Sequence, residues 1–513
     1  MPENWDFDPA LAKTLWRSLA LLTAVTIITA CFSDLYYFPD EHYQILEFMS
    51  LKLGLTAPTE LPWEYAAHIR PWMQPFLYYL IAKPLLLAGL HDMFFITFVL
   101  RLVTGLLSLA SLALFAKAVI PTLPGKDEKF AFARYLPFFG FLPYLFVRTS
   151  SETISAAFFT LGLALAMQSR SASRLFWAGL LCGLAFDCRY QSALLIAPLF
   201  AWLAIIARTR IPALASFCGA ILLMMLAGTL VDHWGYGLWQ FTPWLYFKAN
   251  ILDNVAGGTY GTQPFFAYFF LLPAQFFALI TLLLMAAMIV MAVRNPRHVL
   301  SWVALPFFVL NMMVGHKEAR FLFPLAQMAT AFPVLAFSPS LPRWRGFAVR
   351  IWSWRNSAAA KFATAVSVLL MAFLAIYPFG FRPHMPMARY VYRNFTGSFT
   401  AYSLGQEPFV SYPMYKPPGT TIIPLPSSTA LTPLLAKGPV YLFTDRPSFN
   451  ALPADAQAQV IYSEFPLESL GYGEAGTRYL DSFARFSAWA GFLKLPPLGW
   501  VTLYRVESAT TRA

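Results

Sequence analysis

The stretch Val314-Gly315-His316-Lys317-Glu318-Ala319-Arg320-Phe321 carries four ionisable side chains within five residues, between two long apolar runs. Residues 298–315 and 321–338 are otherwise almost uncharged. A charged group at the edge of hydrocarbon is costly unless it is paired or faces a polar cavity. The pattern therefore predicts either a functional site between two membrane helices or an interfacial belt of cations with Glu318 as their partner.

The composition indicates a membrane protein. Hydrophobic residues make up 58% of the 513, aromatic residues 17% and charged residues only 12%, and the mean hydropathy is +0.56. A soluble chain of this length is less apolar. Runs long enough to cross the roughly 30 Å hydrocarbon layer occur at 15–34, 73–91, 94–119, 133–148, 152–168, 175–206, 211–231, 264–293, 298–315, 319–338 and 358–380. The sequence thus predicts an all-α polytopic protein with about eleven transmembrane helices.

Three further features limit the kind of membrane protein that this chain can be. Cys31, Cys182, Cys188 and Cys218 lie in or beside apolar runs without metal-ligand spacing, so they are predicted to be core residues and not disulfides. The net charge of +12 comes from cations in loops beside the runs, so no nucleic-acid partner is predicted. The first run lacks a cleavage site and is expected to stay as an anchor.

Loop charges set the predicted orientation. Arginines crowd the segments 294–298 and 343–355, which the positive-inside rule places in the cytoplasm. With eleven helices and a cytoplasmic N-terminus, the loops 35–71 and 232–262, the charged stretch and the tail from 381 share the opposite side. The two short runs within 133–168 are either two spans or a re-entrant pair, and neither changes the side of the later loops.

The first loop begins with Phe38-Pro39-Asp40-Glu41-His42-Tyr43-Gln44. Proline followed by two carboxylates is typical of a helix N-terminus. The residues from Gln44 to Leu53 have an imperfect amphipathic pattern, as in a helix that lies on a membrane surface. A carboxylate held there can also act as the general base for a hydroxyl group. Both interpretations stay open, and the sequence does not choose between Asp40 and Glu41.

Two further polar segments lie on the same predicted side. Trp63 and Trp72 are typical of interfacial anchors, whereas Arg70 either reaches the interface or binds an anion. The loop 232–263 is rich in aromatic, glycine and amide residues. Such groups stack on sugar faces and bind sugar hydroxyls, although an interfacial loop has them too.

Taken in order, these strings resemble glycosyltransferase family 22, the α-mannosyltransferases of GPI-anchor and N-glycan precursor assembly. The matching strings are Pro39-Asp40-Glu41-His42-Tyr43-Gln44, Trp63-Glu64 with Ile69-Arg70-Pro71, Tyr236-Gly237 with Phe241-Thr242-Pro243 and Phe247-Lys248-x-Asn250, Tyr260-Gly261-Thr262-Gln263-Pro264, and His316-Lys317-Glu318-x-Arg320-Phe321. They cover roughly residues 30–330. The segment 260–264 points toward the GPI mannosyltransferases. Arg148-Thr149-Ser150-Ser151-Glu152 resembles another family segment, although Ser151 stands where Asn is usual.

The resemblance implies a GT-C fold with the catalytic acid in the first loop, on the luminal or periplasmic side. It implies transfer of a mannosyl residue from a polyprenyl-phosphate donor to a lipid-linked glycan, with inversion at the sugar. Asp40 would deprotonate the acceptor hydroxyl, so that a β-linked donor yields an α-mannoside. Cations would stabilise the negative charge that develops on the departing phosphate.

The site residues expected on this basis fall into four groups. The catalytic carboxylates are Asp40 and Glu41. The donor phosphate would contact His316, Lys317, Arg320 and Arg70. Glu318 and Gln44 would support these side chains. The sugar or acceptor would contact Trp63, Tyr236, Lys248, Asn250, Tyr260 and Gln263. The candidate loops have no Asp-x-Asp, and the sequence has no His/Cys grouping with obvious metal spacing, so no metal ion or cofactor is predicted.

The tail from 381 to 513 is predicted to be a small mixed α/β domain outside the membrane, following a catalytic domain at 1–380. Residues 439–444 and 499–505 are typical of strands. The tail either shapes access of an acceptor or caps the helices. Two other classes stay open: a polytopic lipid transporter, and a GT-C transferase of another sugar or of protein hydroxyl groups. The membrane would be the endoplasmic reticulum or a bacterial inner membrane.

Overall fold

The computed structural model describes residues 8–34, 36–275, 278–376, 384–395, 397–405, 407–409, 412–445, 452–453, 456–464 and 501–508. The longer helices are α1 (Pro9–Phe32), α2 (Glu47–Leu53), α3 (Met73–Leu87), α4 (Met93–Val119), α5 (Lys126–Tyr135), α6 (Ser151–Gln168), α7 (Ala172–Cys188), α8 (Ala193–Ala201), α9 (Ile211–Tyr236), α10 (Tyr268–Gln275), α11 (Ala278–Arg294), α12 (Val299–Met313), α13 (Arg345–Trp354), α14 (Ala358–Ile376) and α15 (Met385–Asn394). These helices confirm the prediction of a mostly helical protein.

Shorter helical segments connect these helices. Short α-helices span Pro39–Glu41, Trp63–Ala66, Leu142–Phe146, Thr242–Phe247, Val255–Tyr260, Ala326–Ala329, Phe332–Phe337 and Thr432–Leu435. Segments of 3-10 helix span Pro58–Glu60, Ile120–Thr122, Leu136–Phe138, Tyr190–Ser192, Phe265–Ala267, Ala319–Leu325, Pro413–Tyr415 and Ser428–Leu431, and π-helical turns span His42–Leu46, Trp202–Ile206 and Lys248–Leu252. Many lie in the loops that the sequence singles out as functional.

The helical body has two ends. The basal end holds Asp8, whose Oδ2 atom lies 2.8 Å from Lys126 Nζ, and the site end holds Asp40 in contact with Arg320. Helix α1 starts at the basal end, where the Asp8 side chain accepts a hydrogen bond from Ala10 N and Pro9 takes the first helical position. Length and hydropathy alone make four of the described helices able to cross a membrane, namely α1, α4 continued through Thr122, α9 and α14.

Two predicted spans are chains of short helices that run from one end to the other. Residues 126–148 begin beside Asp8 and end where Arg148 Nη2 donates to Ser33 Oγ, so this segment runs the full length of the helical body and favours two spans over a re-entrant pair. Residues 319–337 return from the site end to Ala336, whose carbonyl accepts from Arg294 Nη1 at 2.5 Å. Prolines interrupt both segments and remove backbone donors, which explains the short helices: Pro137, Pro143, Pro324 and Pro333.

The predicted run 73–91 does not cross the helical body. Both flanks of α3 lie at the site end. Trp72 N donates to Asp232 Oδ1 at 2.8 Å, and the His91 carbonyl accepts from Tyr392 Oη at 2.7 Å. The apolar side chains of α3 pack between the first loop and α4, so this run is a helix of the first loop and not a span.

The predicted run 175–206 contains two passes and not one. Helix α7 ends at Cys188, Arg189 has an extended backbone, and α8 leads back toward the basal end. There Arg170 Nη1 donates to the Ala207 carbonyl at 3.2 Å, and Ser216 Oγ donates to the Ala172 carbonyl at 2.9 Å. Compared with the prediction, the structure has one additional pass through the helical body at 175–206 and one fewer at 73–91. The predicted side of every segment after residue 206 is therefore unchanged.

Glycines set the spacing of α6, α7 and α9. A Cβ atom at Gly162 would lie 2.9 Å from the Ala178 carbonyl oxygen, and one at Gly179 would lie 2.3 Å from the Phe217 carbonyl oxygen. Both distances are too short for a side chain. Small residues that let helix backbones approach closely are typical of helix packing in membranes. The close packing fixes the ends of α6 and α7, where Glu152 and Arg189 lie.

The described part of the tail forms a five-stranded mixed sheet, which confirms the small α/β unit. Its strands are β1 (Phe399–Leu404), β2 (Thr420–Pro424), β3 (Val440–Asp445), β4 (Ala456–Ser463) and β5 (Val501–Ser508), in the order β2-β1-β3-β5-β4. Strand β1 pairs in parallel with β2 and β3, and β5 pairs antiparallel with β3 and β4. The predicted boundary at 380/381 and residues 499–500 lie outside the described residues.

Candidate active site

The first loop places its two adjacent carboxylates differently. The chain turns into the short helix Pro39–Glu41 and continues through a π-helical turn into α2, as the helix-start pattern predicts. Asp40 keeps 26% of its side chain exposed, and its Oδ2 atom lies 2.6 Å from Arg320 Nη2. Burial would raise the pKa of Asp40, but the charge of Arg320, helped by Arg70 and Arg189, holds that pKa below its usual value. Asp40 is therefore an accessible anion.

Glu41 is buried and fully engaged by the backbone. Its carboxylate accepts hydrogen bonds from Thr149 N at 2.6 Å and from Tyr37 N at 3.0 Å. Burial raises the pKa of Glu41 even though Arg148 and these donors act against it. Glu41 therefore joins the first loop to the start of α6. Asp40 is the more accessible of the two carboxylates.

Arg320 is the centre of an ion-pair cluster. Its guanidinium contacts three carboxylates: Asp40, Glu318, and Glu152 at 3.5 Å from Nη1. The plane of the guanidinium also lies 4.2 Å from the ring centre of Phe38. Arg320 thus joins three distant parts of the chain and is well compensated by negative charge.

The remaining members of the charged stretch bind protein groups. Lys317 is 3% exposed, and its Nζ donates to the carbonyls of Gln263 and Val314, at 3.0 and 2.5 Å. His316 bridges Glu318 Oε1 at 2.9 Å and the Gly261 carbonyl at 3.1 Å. The hydrogen bond to Glu318 raises the pKa of His316. Because Lys317 is buried and its ammonium group binds two backbone carbonyls, it does not act as a cation anchored at the membrane interface.

Arg189 and Glu152 belong to the site although the predicted site residues omit them. Arg189 Nη1 lies 3.0 Å from Glu152 Oε1 and donates to Ser151 Oγ at 2.9 Å. Glu152 thereby contacts both Arg189 and Arg320. A signal was present in the sequence, because Arg189-Tyr190-Gln191 interrupts an otherwise apolar run in the way the charged stretch does.

Tyr236 binds the backbone of Arg70, and Glu64 binds its side chain. Tyr236 Oη accepts from Arg70 N at 3.2 Å and donates to the Arg70 carbonyl at 2.8 Å. Arg70 Nη2 donates to Glu64 Oε1 at 3.3 Å, and Gln44 donates to the same oxygen at 3.0 Å. Arg70 Nε is buried and has no hydrogen-bond partner among the described residues. Gln44 and Arg70 thus share one carboxylate oxygen, and Tyr236 binds the backbone of Arg70. The expected roles of Gln44 and Tyr236 stay predictions.

A small cavity lies between these arginines. Its polar lining comes from Gln44, Arg70, Ser151, Arg189, Tyr190 and Tyr246. The Arg70 guanidinium lies 5.9 Å from the ring centre of Tyr246. Two cations, one with an unused donor, make this cavity suited to an anion.

A second, larger cavity is apolar and is lined in part by Ala319, the residue before Arg320. Its walls come from α11, α12 and the segment 319–332, with Phe141 and Leu145 on one side. Among the described residues that line this cavity, Thr281 is the one with a polar side chain. Ala319 and Leu322 lie one and two residues from Arg320 in sequence, so the cavity borders the segment that carries Arg320.

The other predicted sugar-binding residues are spread over the site end. Trp63 is 45% exposed at the start of its short helix, and Lys248 is exposed in the π-helical turn that follows Phe247. Asn250 Nδ2 donates to the Tyr246 carbonyl at 3.0 Å. Tyr260 is 58% exposed, with its ring centre 5.6 Å from that of His316. Gln263 Oε1 accepts from Lys317 N at 3.1 Å.

The described residues hold no group of three or more His, Cys, Asp or Glu side chains that could bind a metal ion. The four cysteines are free. The carboxylates at the site, Asp40, Glu152 and Glu318, face the guanidinium of Arg320, which occupies the position that a cation would take. The expectation of no required metal stays a prediction.

A family model described as the Alg9-like mannosyltransferase family matches residues 18–399. That is most of the chain. The chain belongs to the Alg9-like mannosyltransferase family. Its matching region contains every residue of the Arg320 cluster and of the cavity between the arginines. The resemblance inferred from the motifs is therefore confirmed.

Among relatives in this family, the chain is 27% identical over 325 residues to GPI alpha-1,2-mannosyltransferase 3 of Xenopus laevis, covering 61% of this chain and 58% of that protein. It is 25% identical over 357 residues to GPI mannosyltransferase 3 of Drosophila melanogaster, covering 68% of this chain and 59% of that protein. The chain thus spans under three fifths of the length of these relatives.

The fold is similar to solved structures as well. ArnT from Cupriavidus metallidurans bound to undecaprenyl phosphate superposes with a TM-score of 0.54 at 12% identity, covering 87% of this chain and 95% of that one. The same protein in the apo state gives a TM-score of 0.50 at 13% identity. At such low identity the likeness shows the fold alone, and it supports the predicted GT-C architecture.

Proposed function

We propose that this chain is a membrane α-mannosyltransferase that moves a mannosyl residue from a polyprenyl-phosphate donor to a hydroxyl of a lipid-linked glycan, with inversion. The observation that carries the proposal is Asp40, a partly exposed carboxylate that contacts Arg320 and whose pKa is also lowered by the charges of Arg70 and Arg189, two arginines that line a cavity. Relatives named GPI alpha-1,2-mannosyltransferase 3 support the choice of mannose and of a glycolipid acceptor.

Asp40 is the proposed general base. Its carboxylate is ionised, partly exposed and oriented by Arg320, so it can take the proton of an acceptor hydroxyl as that oxygen attacks the anomeric carbon. Attack opposite the departing phosphate converts a β-linked donor into an α-mannoside. Glu41 is given a structural role, because both of its bonds to the backbone occupy the carboxylate away from the cavity.

Arg70 and Arg189 are the proposed ligands of the donor phosphate. Both line the cavity, and Arg70 Nε has no hydrogen-bond partner among the described residues. Charge-assisted hydrogen bonds would stabilise the negative charge on the phosphate as the sugar leaves. Lys317 and Arg320 are reassigned, since their donors are committed to carbonyls and carboxylates of the protein. His316 and Glu318 orient Arg320.

The apolar cavity fits the polyprenyl chain of the donor. It is lined almost wholly by hydrocarbon and aromatic side chains, and Ala319 joins it to the site. Burying an isoprenoid there is favourable because apolar surface leaves water or headgroups. A protein of the same fold carries undecaprenyl phosphate, which is a lipid of this kind.

The proposed orientation places the site on the non-cytoplasmic face of an endoplasmic reticulum or bacterial inner membrane. The arginines at 294–297 and 343–355 lie at the basal end, which therefore faces the cytoplasm. Removing the run 73–91 and dividing the run 175–206 keeps about eleven passes. We propose a catalytic domain at 1–380 and a second domain at 381–513 on the site side, with no cofactor beyond the lipid-phosphate donor.

The decisive experiment tests which donor the protein consumes. Purified protein in lipid nanodiscs is given radiolabelled polyprenyl-phosphate mannose, glucose or pentose, each with a glycolipid acceptor and with a hydroxyl-bearing peptide. We expect consumption of the mannosyl donor, transfer to the glycolipid, and loss of both in Asp40→Asn. Use of another sugar or of the peptide would replace this function with a related transferase, and donor flipping without cleavage would indicate a transporter.

A further inference from the structure

A short turn of the C-terminal unit packs onto the first loop. Residues Tyr412–Tyr415, here called the aromatic turn, precede strand β2 and contain the 3-10 segment Pro413–Tyr415. All four side chains are buried. Tyr412 Oη lies 2.7 Å from Tyr36 Oη, and Tyr415 Oη donates to Thr97 Oγ1 in the first turn and a half of α4, at 3.1 Å. The aromatic turn therefore bridges the helical body and the loop that carries Asp40.

The aromatic turn encloses His42, two residues after Asp40. The His42 ring is stacked on Tyr36 and on Tyr415, with 5.4 and 5.9 Å between ring centres and interplanar angles of 19° and 15°. Tyr412 meets the same ring edge-on at 5.1 Å. His42 is fully buried. Aromatic contacts of this kind fix the orientation of a ring as well as its position.

Glu47 connects His42 to the same turn. Its Oε1 atom lies 2.7 Å from His42 Nε2 and accepts from Met414 N at 3.4 Å. Its Oε2 atom accepts from Thr56 Oγ1 at 2.5 Å. Glu47 is fully buried, so each of these bonds matters for keeping its carboxylate in the protein interior. The π-helical turn His42–Leu46 is thus fixed by contacts on both sides.

From this packing we infer that the aromatic turn positions Asp40 for catalysis, with Tyr412 and Tyr415 as positioning residues that act through His42. Asp40 lies in the short helix Pro39–Glu41, which the π-helical turn from His42 continues, so a rotation of the His42 turn would move the carboxylate relative to the acceptor. Displacement of a reacting group by about 1 Å can cost roughly a hundredfold in rate. The C-terminal unit is then part of the catalytic apparatus. The rate prediction rests on the proposed function, whereas the structural prediction does not.

The test compares Tyr412→Ala and Tyr415→Ala with Leu435→Ala. Leu435 is a buried residue of the same C-terminal unit that packs with Leu404, Leu431, Leu442, Tyr504 and Val506. We expect kcat to fall about ten- to a hundredfold in the two tyrosine variants, with the KM for donor changed by less than about threefold. Tyr415→Phe keeps the stacked ring and should recover most of the rate. Leu435→Ala should stay close to the wild-type rate.

Hydrogen–deuterium exchange supplies a readout that does not need the substrate. Backbone amides of residues 36–47 should exchange faster in the two tyrosine alanine variants and at the wild-type rate in Leu435→Ala. Unchanged exchange in the tyrosine variants overturns the inference, and so does an equal loss of kcat in Leu435→Ala. If the wild-type protein transfers no mannose while the exchange result holds, the proposed function fails and the packing role stands. Faster exchange with an unchanged kcat overturns the positioning role.

Discussion

The Arg320 cluster and the cavity between Arg70 and Arg189 use the same side chain in two different ways. Arg320 contacts three carboxylates and lies against an aromatic ring. Arg70 and Arg189 have one carboxylate contact each, Glu64 and Glu152, and they face a cavity. A compensated cation holds a structure together, and an incompletely compensated one is ready to bind an anion. Asp40 contacts Arg320, and the charges of Arg70 and Arg189 also lower its pKa, so it interacts with both regions.

The largest effect is expected at Asp40. Asp40→Asn keeps the shape of the side chain and removes the base, so transfer should fall by about 10²–10⁴. Glu41→Gln is the matched comparison: it should lower the yield of folded protein more than it lowers the rate per folded molecule, since Glu41 bonds two backbone groups. Rates are measured with monodisperse protein. Near-wild-type turnover of Asp40→Asn would remove Asp40 from the mechanism.

The next effect is a loss of stability at Arg320. Arg320→Met leaves Asp40, Glu152 and Glu318 with much less compensation, and breaking a buried ion pair in this way costs about 3–5 kcal/mol. We expect a lower melting temperature and less monodisperse protein in detergent, with Arg320→Lys less affected. A stable, inactive Arg320→Met protein would contradict the structural role and return Arg320 to the donor site.

A smaller and different effect is expected in the cavity. Arg70→Gln and Arg189→Gln should each weaken donor binding by roughly ten- to a hundredfold, as charge-assisted contacts are worth about 1.5–3 kcal/mol. Their melting temperatures should change far less than that of Arg320→Met. Binding of a radiolabelled polyprenyl phosphate measures the first quantity. If Lys317→Met weakens binding as much as these variants do, the phosphate site includes the charged stretch after all.

The smallest effect concerns pH. Because nearby arginines hold the pKa of Asp40 below its usual value, Asp40 should stay ionised as the pH falls to the ordinary carboxylate range, and its stabilising contribution should be lost only below that range. Arg189→Gln should move the acid limb of the rate profile to higher pH, because one source of the lowering is gone. Lys437→Gln, an exposed cation in the C-terminal unit, is the control and should leave the limb in place.

The sequence predicts the class, the family and most of the residues that meet at the site. Apolar runs report hydrophobicity but not direction, so α3 was mistaken for a span while the paired passes α7 and α8 were merged into one. The motif at 314–321 indicates that its charged side chains are paired or functional. It does not show which residues they pair with. Glu152 and Arg189 reach Arg320 only through the fold, and Lys317 turns to carbonyls because the segment 261–263 lies beside it. Such pairings need coordinates.

Glu152 contacts Arg189 in one region and Arg320 in the other, so the two regions are not independent. An anion held by Arg70 and Arg189 would cancel part of the positive charge that lowers the pKa of Asp40. Anion binding and proton binding are then thermodynamically linked, and the linkage is reciprocal: each raises the affinity for the other by the same factor. If the proposed donor binds at Arg70 and Arg189, its phosphate would make Asp40 a stronger proton acceptor at the moment when a base is needed. Occupancy of the cavity would thereby tune the chemistry of the neighbouring carboxylate.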